Sequence, residues 1–205
     1  MRDALPVTTT FFLIRHAAHA LLGRVLAGRM PDVHLDAKGF AQATELRRRF
    51  EREHVTAIHS SPRERAVETA REIAGGIDAG IVIEPAIDEI DCGEWTGRSF
   101  DELRGDPRWI SWNKTRSTAR APDGESMIDV QKRAVGYLDQ QYRVQPDACI
   151  IAVSHGDVIK AALFACLDLS LDRIGTIEIS PAGVSTIVIG DWGSKILSIN
   201  EAASP

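Results

Sequence analysis

The sequence is poor in cysteine and has no cysteine pair to speak of. Only Cys92, Cys149 and Cys166 occur among 205 residues, an odd number without CxxC spacing, which argues against a disulfide framework and against a zinc site. Cys149 and Cys166 lie inside apolar runs and read as buried thiols. Long hydrophobic runs are absent too. The opening stretch MRDALPVTTTFFLI carries one short apolar run that stops at Arg15, too brief for a signal-peptide core or a membrane span, so we expect no membrane association and a cytoplasmic location. There is no basic block. The 24 Lys and Arg are scattered among 29 Asp and Glu, for a net charge of -5, and offer nothing to neutralise a nucleic-acid backbone. Internal repeats, low-complexity tracts and linkers are also missing, so the chain reads as a single domain, residues 1–205. With 44% hydrophobic and 26% charged residues it can bury a substantial core and still carry a modest insertion.

Apolar runs alternate with helical patterns, the signature of an α/β fold in which helices cover a mostly parallel central sheet on both faces. The run Thr10 to Ile14 is continuous enough to be a central strand buried on both sides. Asp36 offers an N-cap to a helix whose Phe40, Ala43, Leu46 and Phe50 recur at helical spacing, with Arg47, Arg48 and Arg49 on its wet side. Val55 to His59 predicts a second strand, and Pro62 opens a helix that stops at Gly75-Gly76. Ile81 to Glu84 predicts a short third strand. The following stretch, about 85–125, is rich in Gly, Trp and charge and is expected to form a small cap. Ser126 and Asp129 resemble a capping box for a helix reaching about Arg143. Further strands are expected at Cys149 to Val153, Thr176 to Ser180, Val184 to Ile189 and Lys195 to Ile199, with a helix over Asp157 to Leu167 and a hairpin turn at Asp191 to Ser194.

Two histidines, His16 and His155, each follow a strand of buried type, and the carboxyl edge of a parallel sheet is where ligands sit. If those strands are neighbours, the two imidazoles share a pocket. Arg15 adjoins the first histidine, Gly156 follows the second, and Arg65 comes just after the second strand. Arginines and histidines gathered at one sheet edge make an anion site, because guanidinium forks match phosphate oxygens.

The segments LIRHA (13–17), SSPRERAVETA (60–70), IDEIDCGEWTG (87–97), PDGES (122–126) and AVSHGD (152–157) resemble, in order and spacing, the motifs of the histidine phosphatase superfamily, which also contains the cofactor-dependent phosphoglycerate mutases. The resemblance implies a phosphoglycerate mutase-like fold and a phosphatase that hydrolyses a small phosphorylated metabolite without metal or cofactor. It makes His16 the nucleophile, Arg15 and Arg65 the phosphate ligands, His155 a donor to the transferring phosphoryl group and Glu89 the proton donor to the leaving oxygen. Asp88, Asp91 and Glu94 lie close enough to compete with Glu89 for that role, and Arg63 is a nearby cation expected at the surface. Arg29 reads equally as a pocket-mouth or a surface residue, and His19, His34, His54 and His59 receive no role.

Two departures matter. Ala17 stands where the family usually has Gly, which is tolerable if the backbone there has negative φ. Leu22 stands where mutase-type members carry a phosphate-binding Asn, which favours hydrolysis over a mutase reading. Other readings stay open: a mutase-type phosphotransferase, a degenerate site that only binds phospho-ligands, and a cysteine phosphatase built on the Cys-x5-Arg string from Cys92 to Arg98. Trp95, Trp109 and Trp112 suit either a cap core or a substrate platform, and Arg104, Arg108, Lys114, Arg116 and Arg120 either a second acidic group or solvent. The residues leave the oligomeric state open.

Overall fold

In a computed structural model, which describes residues 7–203, the first apolar run forms β1 (Thr8–Arg15), three residues longer than the continuous apolar stretch because its neighbours extend the ladder on both sides. The outermost residues of the expected domain, 1–6 and 204–205, lie outside the described residues. Six strands make one sheet in the order β3-β2-β4-β1-β5-β6, with β2 at Ala57–Ser60, β3 at Ile81–Ile83, β4 at Cys149–Ser154, β5 at Val184–Gly190 and β6 at Gly193–Glu201. β3, β2, β4 and β1 are parallel, while β5 runs antiparallel to β1 and pairs with β6 as a hairpin. The sheet is therefore mixed, mostly parallel with an antiparallel edge.

Alternate residues of the central strands face opposite layers, as the two-residue period of a strand requires. Phe11, Leu13, Ile150 and Ala152 pack on one side with α5 (Met127–Val144) and α6 (Gly156–Cys166). Ile14, Ile58, Ile151 and Val153 pack on the other with α1 (Ala37–Phe50) and α2 (Glu64–Ala74). Phe11, Ile14, Ile150 and Ile151 are completely buried, each contributing about 1.5–3 kcal/mol relative to an exposed position. The expected caps form: Asp36 accepts from Gly39 N, and Ser126 and Asp129 cap one another reciprocally at the start of α5. Pro62 falls two residues before the start of α2 rather than at its first turn, with Arg63 at the N-cap.

One expected strand is missing. Leu171–Thr176 is a 3₁₀ turn and residues 178–180 run without sheet pairing, because β1 already has β4 on one side and β5 on the other. The segment instead gives its Ile179 carbonyl to Arg15 Nη1. Between β3 and α5 the chain forms the cap, with two 3₁₀ turns (Pro85–Ile87 and Gly93–Trp95), α3 (Phe100–Arg104) and α4 (Pro107–Lys114). Trp95 and Trp112 are buried; Trp112 stacks on Trp109 and Trp95 meets both edge-on, with centroids 5.2–5.5 Å apart, so the tryptophans are the cap's own core. Among the described residues, no helix is long and apolar enough to cross a membrane.

Candidate active site

The register of β1 on β4 builds the centre of the site. Arg15 pairs with Ser154 across parallel strands, so the next residues on each, His16 and His155, emerge side by side at the carboxyl edge. Neighbouring strands lie about 4.8 Å apart. The two imidazole centroids are 5.1 Å apart, and both rings are buried. Ser60 ends β2 on the far side of β4, and the turn through Ser61 and Pro62 delivers Arg65 in the first turn of α2.

Arg65 joins the cluster. It is 1% exposed, its Nε donates to His16 Nε2 at 3.2 Å, and its Nη2 lies 3.3 Å from His155 Nδ1 and donates to Gly28 O at 2.8 Å. Its Nη1 is buried with no hydrogen-bond partner among the described residues, and so is Arg15 Nε. Buried donors left unpaired cost about 1–3 kcal/mol each, an arrangement that an anion in the pocket offsets.

His16 has a defined tautomer. Its Nδ1 lies 2.8 Å from Ala17 O, and since a carbonyl only accepts, Nδ1 carries the hydrogen and Nε2 presents its lone pair. Burial, then the Arg65 guanidinium, holds its pKa well below the ordinary value, so the ring is neutral at pH 7. The segment after it is fixed from two helices: Thr69 Oγ1 accepts from Ala17 N, and Gln42 Oε1 accepts from Ala18 N. A Cβ on Gly39 would come within 2.0 Å of Ala18 O, so only glycine lets α1 back onto this segment. Ala17 is not among the residues with positive φ, so its methyl group is accommodated without backbone strain.

His155 is held from behind. Ser61 Oγ donates to Asp88 Oδ1 at 3.0 Å and accepts from His155 Nε2 at 2.7 Å, which leaves His155 Nδ1 facing Arg65 and Glu89. Burial, followed by the charge of Arg65, keeps this ring neutral as well.

Of the acidic stretch, Glu89 alone combines reach to Arg65 with reach to the site-facing nitrogen of His155. Its Oε2 is 3.4 Å from His155 Nδ1 and 3.9 Å from Arg65 Nη2. Burial pushes its carboxyl up to about 7; Arg65 opposes that rise and Asp157 adds to it. Asp88 sits behind His155, where it also accepts from Glu89 N and pairs with Arg63 Nε at 3.0 Å. Glu94 turns outward to Arg108, and Asp91 accepts from Gly93 N.

Ser61 is a supporting residue that sequence reading missed, and Asp88, weighed there only as a rival of Glu89 for the proton-donor role, is a second one. Arg133 was missed as well: it donates to the carbonyls of Ala86, Asp88 and Glu89 and to Glu125, gripping the acidic stretch from α5. Glu125, in the PDGES segment, lies just ahead of the Ser126 N-cap of α5 and accepts from Arg133 Nε and Nη2. Arg63 and Arg29 are correspondingly tied down, Arg63 to Asp88 and the Arg29 carbonyl, Arg29 to Glu89 O and Glu125. The expected surface position of Arg63 is thus replaced by a half-buried one, because Asp88 draws it inward. At the cap, Arg116 lies over Trp112 at 3.4 Å and pairs with Asp157 at 3.0 Å, while Arg104, Arg108 and Arg120 pair with carboxylates at the cap surface.

The cysteine alternative fails on geometry. Cys92 is buried, burial pushes its thiol strongly up, and Arg98 pairs with Asp106 rather than turning toward it. Cys92→Ser is accordingly expected to leave kcat/KM for any phosphomonoester within about twofold of wild type, by initial-rate assay, since a buried neutral thiol has no nucleophilic role. Among the described residues, no group of three or more His, Cys, Asp or Glu is placed to hold a metal ion.

The family model of the histidine phosphatase superfamily (branch 1) matches residues 11–202. The chain is 29% identical to phosphoserine phosphatase 1 of Hydrogenobacter thermophilus over 192 residues, covering 92% of this chain and 90% of that one. Its structure superposes on Bacillus stearothermophilus YhfR with a TM-score of 0.89 at 27% identity, covering 95% of this chain and 98% of the other. It also superposes on phosphoserine phosphatase of Entamoeba histolytica in complex with 3-phosphoglyceric acid, with a TM-score of 0.82 at 27% identity and coverages of 95% and 98%.

Proposed function

The chain belongs to the histidine phosphatase superfamily, and from that membership we propose that it hydrolyses a small phosphomonoester through a phosphohistidine intermediate on His16. The observation that carries this reading is the buried Arg65 guanidinium set between two neutral imidazoles, with its Nη1 left without a partner among the described residues. Phosphoryl transfer asks chiefly for alignment and for charge stabilisation on the three equatorial oxygens. Arg15, Arg65 and His155 supply both, so the reaction runs without a metal or an organic cofactor.

In the first half-reaction His16 Nε2 attacks phosphorus, an N–P bond forms and the P–O bond to the leaving group breaks. Glu89, protonated, gives its proton to the departing oxygen and an alcohol leaves. In the second, Glu89 carboxylate takes a proton from water as the water oxygen attacks phosphorus, the N–P bond breaks and inorganic phosphate is released. A carboxyl near pH 7 suits both directions, because it is populated in each form at neutral pH. His155 Nδ1, neutral in the empty pocket, takes a proton as the substrate dianion enters and donates to a phosphoryl oxygen. Phosphoserine and 3-phosphoglycerate, named for the relatives, set the size of substrate that we expect.

The deciding assay is turnover of p-nitrophenyl phosphate and of O-phosphoserine in excess chelator, with rapid quench to trap the phosphoenzyme. Glu89→Gln separates the proton-donor role from phosphate binding. For an alkyl phosphate, whose alkoxide leaves poorly, we expect kcat/KM to fall about 100-fold, and for p-nitrophenyl phosphate only a few-fold, because p-nitrophenolate needs little proton assistance. With the wild type, kcat/KM for the alkyl substrate falls as pH rises through about 7 and the Glu89 carboxyl ionises. That limb disappears in the glutamine variant. Equal losses on both substrates would remove Glu89 from the donor role.

A further inference from the structure

His19, three residues beyond the nucleophile, has no part in the chemistry described above. The residue is 5% exposed and its ring packs against His16 with centroids 5.3 Å apart, nearly as close as the 5.1 Å between His16 and His155. Its backbone is pinned by a bridge to Leu35 just ahead of α1. Its Nδ1 is buried with no hydrogen-bond partner among the described residues. A residue that only fills space beside a polar ring does not need a polar ring of its own, and an unpaired nitrogen in such a place is unfavourable unless something arrives to use it.

We propose that His19 is a third imidazole of the oxyanion pocket, hydrogen-bonding a non-bridging oxygen of the phosphoryl group that His16 carries. This rests on reading the pocket as a phosphate site and adds to it a binding residue that takes phosphate dianions and their tetrahedral mimics. The charged groups around the ring agree. Arg15 at the end of β1 and Arg65 on α2 lie near it, His16 is in contact, and Asp36 at the N-cap of α1 supplies an opposing charge. Burial, then Arg65 and Arg15, holds the pKa of His19 down to about 4, so in the empty pocket it is neutral. A dianion between these guanidiniums reverses their effect. His19 then takes a proton from solvent and donates it in a charge-assisted hydrogen bond, so that phosphate binding is linked to proton uptake.

Calorimetric titration of inorganic phosphate into the full-length protein, at pH 7 in two buffers of different protonation enthalpy, measures affinity and proton uptake together. His19→Leu is expected to weaken phosphate about 10- to 100-fold, the effect of one charge-assisted hydrogen bond, and to reduce the protons taken up. His19→Gln, which keeps an N–H donor and does not titrate, is expected to show intermediate affinity with the same loss of proton uptake. It decides the matter if the leucine variant fails to give a cooperative melt. Since His155 also takes up a proton, the loss expected is the His19 share alone; unchanged proton uptake, or affinity within twofold of wild type, in a folded variant overturns the proposal, because a residue that merely packs against His16 would leave proton uptake unchanged. If the wild type binds phosphate without turning over p-nitrophenyl phosphate, the hydrolase reading falls while the comparison of variants still decides His19. A wild type that binds no phosphate overturns both.

Discussion

Replacing His16 by alanine is expected to lower kcat for p-nitrophenyl phosphate by about 10,000-fold or more and to abolish the trapped phosphoenzyme, because no other group in the pocket presents a lone pair at the same point. The wild-type adduct should be labile to acid and stable to base, as phosphoramidates are. Two features of the site make this a test of the nucleophile rather than of folding. The Nδ1 hydrogen bond of His16 goes to the adjacent Ala17 carbonyl, so its loss disconnects no distant element. The backbone N–H of His16, which donates to Ser154 O, remains in the alanine variant. A cooperative melt should therefore persist, and inorganic phosphate should still bind through Arg15, Arg65 and His155. Full trapping of phosphoenzyme by the His16→Ala protein would move the nucleophile elsewhere and end the mechanism.

Arg65→Met gives the second large effect, and in an instructive direction. Arg65 is 1% exposed and contacts both imidazoles, and its Nη1, without a partner among the described residues, is the donor we propose for phosphate. Losing it should reduce kcat/KM about 1,000-fold, at the upper end for one preorganised donor. Arg65→Lys should recover little of this, because a point charge cannot bridge two rings and hold phosphate with a third N–H group. Stability should respond differently. The facing carboxylate of Glu89 is 3.9 Å away and, at about 7, can take a proton when its counter-charge is removed. An unbranched apolar side chain of similar reach then replaces a desolvated cation without leaving a buried charge behind. We expect the Tm of Arg65→Met to equal or exceed that of wild type while activity collapses, the pattern of a site built for function against local stability. A fall in Tm of more than a few degrees would show that Arg65 is chiefly structural.

The same contrast runs through what was legible in the sequence. The helices announced themselves through chemistry that acts over three or four residues, such as Asp36 reaching Gly39 N and Ser126 capped reciprocally by Asp129. The strands that form β1 and β4 were legible because burial on both faces leaves a continuous apolar run. The segment 176–180 has enough β-branched residues to look like a strand, and it fails because β1, the partner beside it, has both edges occupied. Edge availability is a property of the assembled sheet, and no local pattern encodes it.

For the site, the sequence by itself determined the inventory: a histidine at the end of each of two buried strands, an arginine beside the first, another arginine after the second strand, and an acidic stretch opening the cap. Tertiary structure decided which of these meet. The β1–β4 register sets the two imidazoles side by side, and the grip of Arg133 and Arg29 on the Glu89 carbonyl turns Glu89 toward His155 and leaves Asp88 behind it. Ser61 joins Asp88 to His155, which lies 94 residues further along the chain than Ser61, and His19 is buried against His16 by a bridge to Leu35. The physical reason is one of range. Caps and amphipathic faces are set by neighbours a turn away, whereas burial, lone-pair direction and the pKa of a carboxyl depend on groups that become neighbours only once the sheet has aligned their strands.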